Sequence, residues 1–302
     1  MIVRPRPGSL ELWVILRGSV VPTISFRVLM IAAFSAVLAV VHRLEPSYLR
    51  DITPAPFTLL GLALSIFLGF RNNACYERWW EARRQWGQLL AETRGLVRDA
   101  ATLLPNEETI LRVARRAVAF AHALRTQLRR DGAPGARDWL TSEEWERFVA
   151  KSCRPDAILH SQAKEFAALF RERALSDVQM RQFSDRLQAM TNIQAACERL
   201  SSTPTPFTYT LLLHRTAWMF CLLLPFGLVG TLGAATPVAT LILAYAFFGL
   251  DALGEELEEP FGRAQNAVPI DALVRVIEIA TMETLDLPDV PSPLEPHDYV
   301  LL

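Results

Sequence analysis

Lysine is almost missing from this chain: Lys151 and Lys164 are its only two among 302 residues. Its basic chemistry is therefore arginine chemistry. Net charge is missing as well, because Lys+Arg 31 against Asp+Glu 32 leaves a formal charge of −1. No basic stripe interleaved with aromatics points to nucleic acid. The four cysteines, Cys75, Cys153, Cys197 and Cys221, lie far apart without CxxC or Cys/His spacing. That excludes a disulfide scaffold and offers no metal motif. The five histidines, His42, His122, His160, His214 and His297, are equally scattered. Neither a metal nor a cofactor is expected.

Charge is also missing locally. From Thr216 to Leu250 there are 35 residues without Asp, Glu, Lys or Arg. That length is too long for one membrane span and fits two of roughly 17 residues. Gly230-Thr-Leu-Gly-Ala-Ala-Thr-Pro237 supplies the turn between them. A second uncharged run is Ile52 to Phe70, 19 residues, and a third is Val28 to Val41, 14 residues. The third reaches spanning length only if Arg27 snorkels or faces protein. With 51% hydrophobic residues and a mean hydropathy of +0.20, the chain is too apolar for an ordinary water-facing surface. Four transmembrane helices are expected at about 24–43, 53–71, 208–230 and 236–251. No cleaved signal peptide is expected, since Glu11 lies in the first 20 residues and no small-residue cleavage site follows the apolar run.

Arginine sets the orientation. Arg4, Arg6, Arg17 and Arg27 precede the first span, and Arg71, Arg78, Arg83 and Arg84 follow the second. The expectation is a multi-pass protein of a bacterial inner membrane with both termini cytoplasmic. The division follows: a cytoplasmic segment 1–23, a first hairpin 24–71, a cytoplasmic helical region 72–207, a second hairpin 208–251, and a cytoplasmic C-terminal part 252–302. Within 72–207 the pattern is helical throughout. Asn106-Glu-Glu opens a helix, Thr141-x-x-Glu144 fits a capping box, and Ser176-Asp177 caps a helix to about Leu200. Gly132, Pro134 and Gly135 mark the main loop. A last helix runs from about Asp271 to Leu285, and Pro288, Pro291, Pro293 and Pro296 indicate an extended tail.

The second span carries two stripes. Gly61, Ser65 and Gly69 recur every four residues, a small face that lets helices pack closely. Leu62, Ile66 and Phe70 recur one position on. Such a bulky stripe packs in a core, faces lipid, or lines a hydrophobic pore constriction that gates by dewetting. Beyond it, Arg71-Asn-Asn-Ala-Cys-Tyr-Glu-Arg-Trp-Trp-Glu-Ala-Arg-Arg-Gln-Trp-Gly87 is expected to end the helix at the membrane interface.

Phe67-Leu-Gly-Phe-Arg-Asn-Asn73, with the Tyr-x-Arg-Trp-Trp-Glu-Ala-Arg and Trp-Gly that follow, resembles the signature of the bestrophin family of ion channels in its bacterial branch. Cys197-Glu-Arg-Leu-x-x-Thr-Pro-x-Pro-Phe-x-Tyr209, Leu222-Leu-Leu-Pro-Phe-Gly-Leu-Val-Gly230 and Glu255-Glu-Leu-Glu-Glu-Pro-Phe-Gly262 agree. The likeness runs from about residue 1 to 285. It implies an all-α homopentamer in the lipid bilayer around one central pore, passing monovalent ions passively. It places the pore neck on Leu62, Ile66 and Phe70, and a second, cytoplasmic constriction near Val178.

Two departures stand out. Animal members carry phenylalanine where this chain has Ile66, and isoleucine offers no positive ring edge to an anion. Anion against cation selectivity therefore stays open. Animal members also place an acidic calcium clasp after Pro-Phe-Gly, whereas Arg263-Ala-Gln-Asn-Ala-Val-Pro-Ile-Asp271 offers one late carboxylate. Calcium takes six to eight oxygens, so no calcium gating is expected there. Asp251, Glu255, Glu256, Glu258 and Glu259 read either as a metal or cation site or, as the favoured reading, as a solvated helix whose glutamates pair with neighbouring arginines across subunits. A secondary transporter of small ions is the alternative. It needs internal repeats and paired broken helices, and only Pro225 interrupts a span. An enzyme is not expected, because the spans hold no convergent catalytic set.

Overall fold

In this computed structural model, residues 1–5, 7–46, 53–132 and 135–302 are described. Among them the chain forms nine α-helices and no β-strand: α1 (Val21–Leu44), α2 (Ala55–Leu103), α3 (Glu107–Arg129), α4 (Ser142–Val149), α5 (Arg154–Arg171), α6 (Asp177–Ser202), α7 (Phe207–Leu232), α8 (Thr236–Glu258) and α9 (Ile270–Thr284). Three helical stretches are long and apolar enough to cross a membrane: Val21–Leu44, Ala55–Leu103 and Phe207–Glu258. The chain divides into two compact units, one of residues 4–79 and 204–260, the other of residues 1–3, 80–203 and 261–302. Helix α2 contributes to both.

The first unit, the hairpin unit, contains the uncharged runs. α7 and α8 form an antiparallel pair, with Phe220 against Phe247 at a ring-centroid distance of 4.9 Å and Trp218 against Phe248 at 4.8 Å. Gly233, at φ 49°, ends α7 in a backbone region that costs other residues a steric penalty. A 3-10 turn at Gly233–Ala235 then leads into α8, with a proline in its first turn. Pro225 lies inside α7 without breaking it. α1 lies along α8 and touches α7. Ile24, Ile31, Leu64, Leu68, Ala217 and Phe248 are among the buried side chains of this core.

Helix α2 departs from expectation. It continues without a break past Arg71 to Leu103. The reason is local chemistry: residues 72–103 contain no proline, and Ala, Glu, Arg, Gln and Leu dominate them. Charge marks where a helix could leave a membrane, not where it stops.

The second unit is a helical bundle around α3, which packs on α5, α6 and α9. Its caps match the sequence. Asn106 accepts from the Glu108 N–H. Thr141 with Glu144, and Ser176 with Gln179, form capping boxes that start α4 and α6. Phe166 and Phe183 stack at 4.3 Å. Around these apolar contacts run ion pairs: Arg186 to Glu92 at 2.9 Å and Asp99 at 3.1 Å, and Arg112 to Glu165 at 2.6 Å. The tail is extended as expected, and Ile2 bridges Val300. Pro134 and the connection 47–52 lie outside the described residues.

Candidate functional site

The first turns of α2 present two opposed faces. Leu64, Leu68, Arg71 and Cys75 are buried. Leu62, Ile66 and Phe70 are 59%, 48% and 64% exposed in the chain. At 100° per residue the two sets centre about 180° apart on the helix wheel. The bulky stripe therefore turns away from everything its own chain packs against. An apolar face of this extent is a surface for lipid, for another protein or for a lumen.

The small stripe divides. An added Cβ at Gly61 would sit 3.0 Å from the Phe220 ring, so α2 approaches α7 closely there. Gly69 has open space where a Cβ would lie, and Ser65 is exposed with its hydroxyl donating to the Gly61 carbonyl at 2.8 Å.

Directly after Phe70, the last residue of the stripe, the Arg71 side chain turns inward. It is fully buried, and its Nη1 donates to Asp251 Oδ1 at 2.7 Å, with Nη2 3.5 Å from Glu258 Oε2. Asp251, read from sequence as part of a solvated acidic face, is also fully buried. Asp251 and Glu258 thus pair inside their own chain. Arg71 and Asp251 are both wholly removed from water, where two opposite charges neutralise each other locally. Glu258 also accepts from the Thr205 hydroxyl. Glu255 and Glu259 are exposed, as read from sequence.

His214 completes the arrangement. Its Nδ1 lies 2.7 Å from Asp251 Oδ2, and the Trp218 Nε1–H donates to its Nε2 at 3.2 Å. Indole only donates, so Nε2 accepts, and the ring proton sits on Nδ1 and points at Asp251. His214, Asp251 and Glu255 bring three potential ligand atoms within 4.8 Å of one another. A cation bound there would have to displace the Nδ1 proton and sit beside the Arg71 guanidinium. The geometry is that of an ion-pair lock joining α2, α7 and α8. Gly254 makes the lock possible: a Cβ there would stand 2.8 Å from Asn72 Oδ1 and 3.2 Å from Arg71 Cζ.

In the bundle unit, Val178 lies in the first turn of α6 and is 76% exposed. It borders a shallow recess with Glu92, Arg181 and Arg186. Asp271, the one carboxylate of 263–271, accepts from Arg125 Nε at 2.6 Å through one oxygen and from Arg129 through the other. Those oxygens are taken by guanidinium groups, so the segment does not fit a calcium ion.

Residues 1–283 match the family model described as Bacterial/Fungal Bestrophin protein. The chain belongs to the bestrophin family. It is 45% identical over 287 residues to a voltage-dependent anion channel-forming protein of Mesorhizobium japonicum, covering 94% of this chain and 92% of that one. It is 41% identical over 306 residues to the voltage-dependent anion channel-forming protein YneE of Escherichia coli K12, covering the whole of both. Among solved structures, a bacterial bestrophin homologue from Klebsiella pneumoniae superposes with a TM-score of 0.85 at 38% identity, over 88% of this chain and all of that one. The family assignment agrees with the segments that carried the sequence resemblance. The Arg71–Asp251 pair of this bestrophin was missed by sequence reasoning. The available signal was a lone aspartate closing a 35-residue uncharged run, since charge next to a span requires a partner.

Proposed function

We propose that this bestrophin is a passive channel for monovalent ions in a bacterial inner membrane. Four spans, α1, the first part of α2, α7 and α8, cross the bilayer in two hairpins, with both termini cytoplasmic. Five copies assemble around one axis. Leu62, Ile66 and Phe70 face that axis as an apolar neck, and Val178 forms a second constriction in the cytoplasmic bundle.

One observation carries this reading: the bulky stripe of α2 lies opposite its packed face and is uncovered within the chain. Open space at Gly69 and the exposed Ser65 leave room for a neighbouring copy beside it. Family membership and the names of the relatives, voltage-dependent anion channel-forming proteins, support the channel class.

The physical mechanism follows from the neck. Apolar side chains bind ions weakly, so an ion crosses when the constriction is wetted and stops when it dries. Ile66 contributes no ring edge, which weakens the case for anion selectivity at that position and leaves anion against cation preference to measurement. The buried lock fixes α2 against α7 and α8 directly beyond the neck, which holds the stripe at a constant rotation. Calcium does not gate this channel through residues 263–271, since arginines hold both Asp271 oxygens.

Purified protein in a planar bilayer under a KCl gradient tests the class and the selectivity. Discrete steps reversing near the chloride potential identify an anion channel, and reversal near the potassium potential a cation channel. Saturating flux without unitary steps would contradict the channel reading. Cross-linking in detergent that stops at a species other than five chains would contradict the assembly. Currents unaltered by a calcium chelator are expected.

A further inference from the structure

The bundle unit encloses a cavity of about 330 Å³ between the last turns of α3, the 3-10 turn at Gly135–Trp139, α4 and the start of α5. That volume is within the range of small-molecule sites, about 300–1,000 Å³. One wall is apolar and includes Trp145, Phe148 and Ile158. The lining also includes Arg130, Lys151 and Arg154. Lys151 is one of the two lysines of the chain.

The cations of this cavity differ from the arginines that cross-link the helices of the bundle. Arg112, Arg116, Arg125, Arg129 and Arg186 each hold a carboxylate. Among the described residues, the side chains of Arg130, Lys151 and Arg154 hold none. The lining carboxylate, Asp131, is already taken by Arg125 and Arg263. The cavity therefore carries three uncompensated cations beside an aromatic wall. The N-terminal end of α5, where Arg154 is the first helical residue, adds the positive end of a helix dipole.

We propose that this cavity binds a small organic anion, a carboxylate or phosphate ester on a flat apolar body. The anionic group sits among Lys151, Arg154 and Arg130, and the body lies against Trp145 and Phe148. Both halves are required: the cations for charge-assisted hydrogen bonds, and the aromatic wall for the area that a bare inorganic ion cannot bury. The site lies in the bundle and does not depend on the channel reading.

Calorimetric titration of the full-length protein in detergent with 2-naphthoate and 1-naphthyl phosphate tests it, with neutral 2-naphthylmethanol and inorganic phosphate as comparisons. The expected result is one naphthyl anion per chain, with the alcohol and the inorganic ion each bound at least about tenfold more weakly. The variant Lys151→Ala/Arg154→Ala should lose about tenfold or more in affinity, as should Trp145→Leu, while Arg181→Ala keeps it. Equal binding of the alcohol, equal binding of inorganic phosphate, or unaltered affinity in the charge variant would each overturn the proposal. Absence of naphthyl-anion binding up to about 5 mM would do the same. The ligand comparison uses the unaltered protein, so it decides the matter even if a variant misfolds.

Discussion

The Arg71 guanidinium reaches the carboxylate of Asp251, 180 positions away in sequence, at 2.7 Å, with both side chains wholly removed from solvent. The pair ties the segment just beyond the exposed stripe to the far end of α8. Removing one partner leaves the other charge buried alone, which costs about 3–5 kcal/mol, whereas replacing both with apolar groups of similar volume costs far less. Asp251→Asn should therefore lower the melting temperature of the detergent-solubilised protein sharply. Arg71→Met/Asp251→Leu should recover most of the loss. A double variant as unstable as the sum of its singles would contradict the lock.

Gly254 allows α8 to approach the Arg71 and Asn72 side chains. A methyl group there would be 2.8 Å from Asn72 Oδ1 and would crowd a guanidinium already held on two sides. Gly254→Ala should destabilise by about 1–3 kcal/mol, in the range of overpacked cores. In an Asp251→Asn background the penalty should shrink, because Arg71 is then free to move. Thermal melts of the two backgrounds compare the penalties directly.

Burial pushes the Cys197 thiol up to about 12, and the nearby Glu198 and Glu81 add to the shift. The thiolate is the reactive form, so at neutral pH almost none of the reactive species is present. Maleimide should leave Cys197 unmodified in the folded protein and modify it after denaturation, as read by peptide mass spectrometry. Labelling at the rate of a free thiol would show that α6 opens readily.

Glu144 closes the capping box of α4 and also accepts from Arg116 Nε at 2.8 Å. Burial alone pushes its carboxyl up, but the Arg116 hydrogen bond and charge, with Thr141, outweigh burial and hold it below its ordinary value of 4.5. A depressed carboxyl contributes stability above that ordinary value and loses it as pH falls through the lowered one. Acid should therefore destabilise the bundle, and Glu144→Gln should flatten the fall in melting temperature below pH 4.5. An unchanged acid slope in that variant would assign the effect to other carboxylates.

The local features were legible in the sequence. Asn106, Thr141 with Glu144, and Ser176 cap the helices read from them, because a cap is a contact among three or four neighbouring residues. The apolar stretches were legible too, with α1 running Val21–Leu44 where 24–43 was expected. The continuation of α2 was not, because Arg71, Arg78, Arg83 and Arg84 look like an interface whether or not the helix goes on. Helix α5 was not read from the sequence, although Pro155 in its first turn and Ile158, Leu159 and Phe166 at helical spacing were available signals. The lock was hidden for a different reason. Arg71 and Asp251 meet only through tertiary packing, and each, read alone, looks like a residue at the edge of a span. For Leu62, Ile66 and Phe70, periodicity supplied the stripe, and the structure adds that no part of the described chain covers it.

Unitary conductance of Ile66→Ala against the unaltered protein, in the same planar bilayer and salt, tests the account most directly. Removing the γ and δ carbons of Ile66 from every copy should widen and wet the neck, so larger single-channel steps are predicted with the assembly unchanged. Steps of unaltered size from an intact assembly would contradict it and place the narrow point of the pathway away from the α2 stripe.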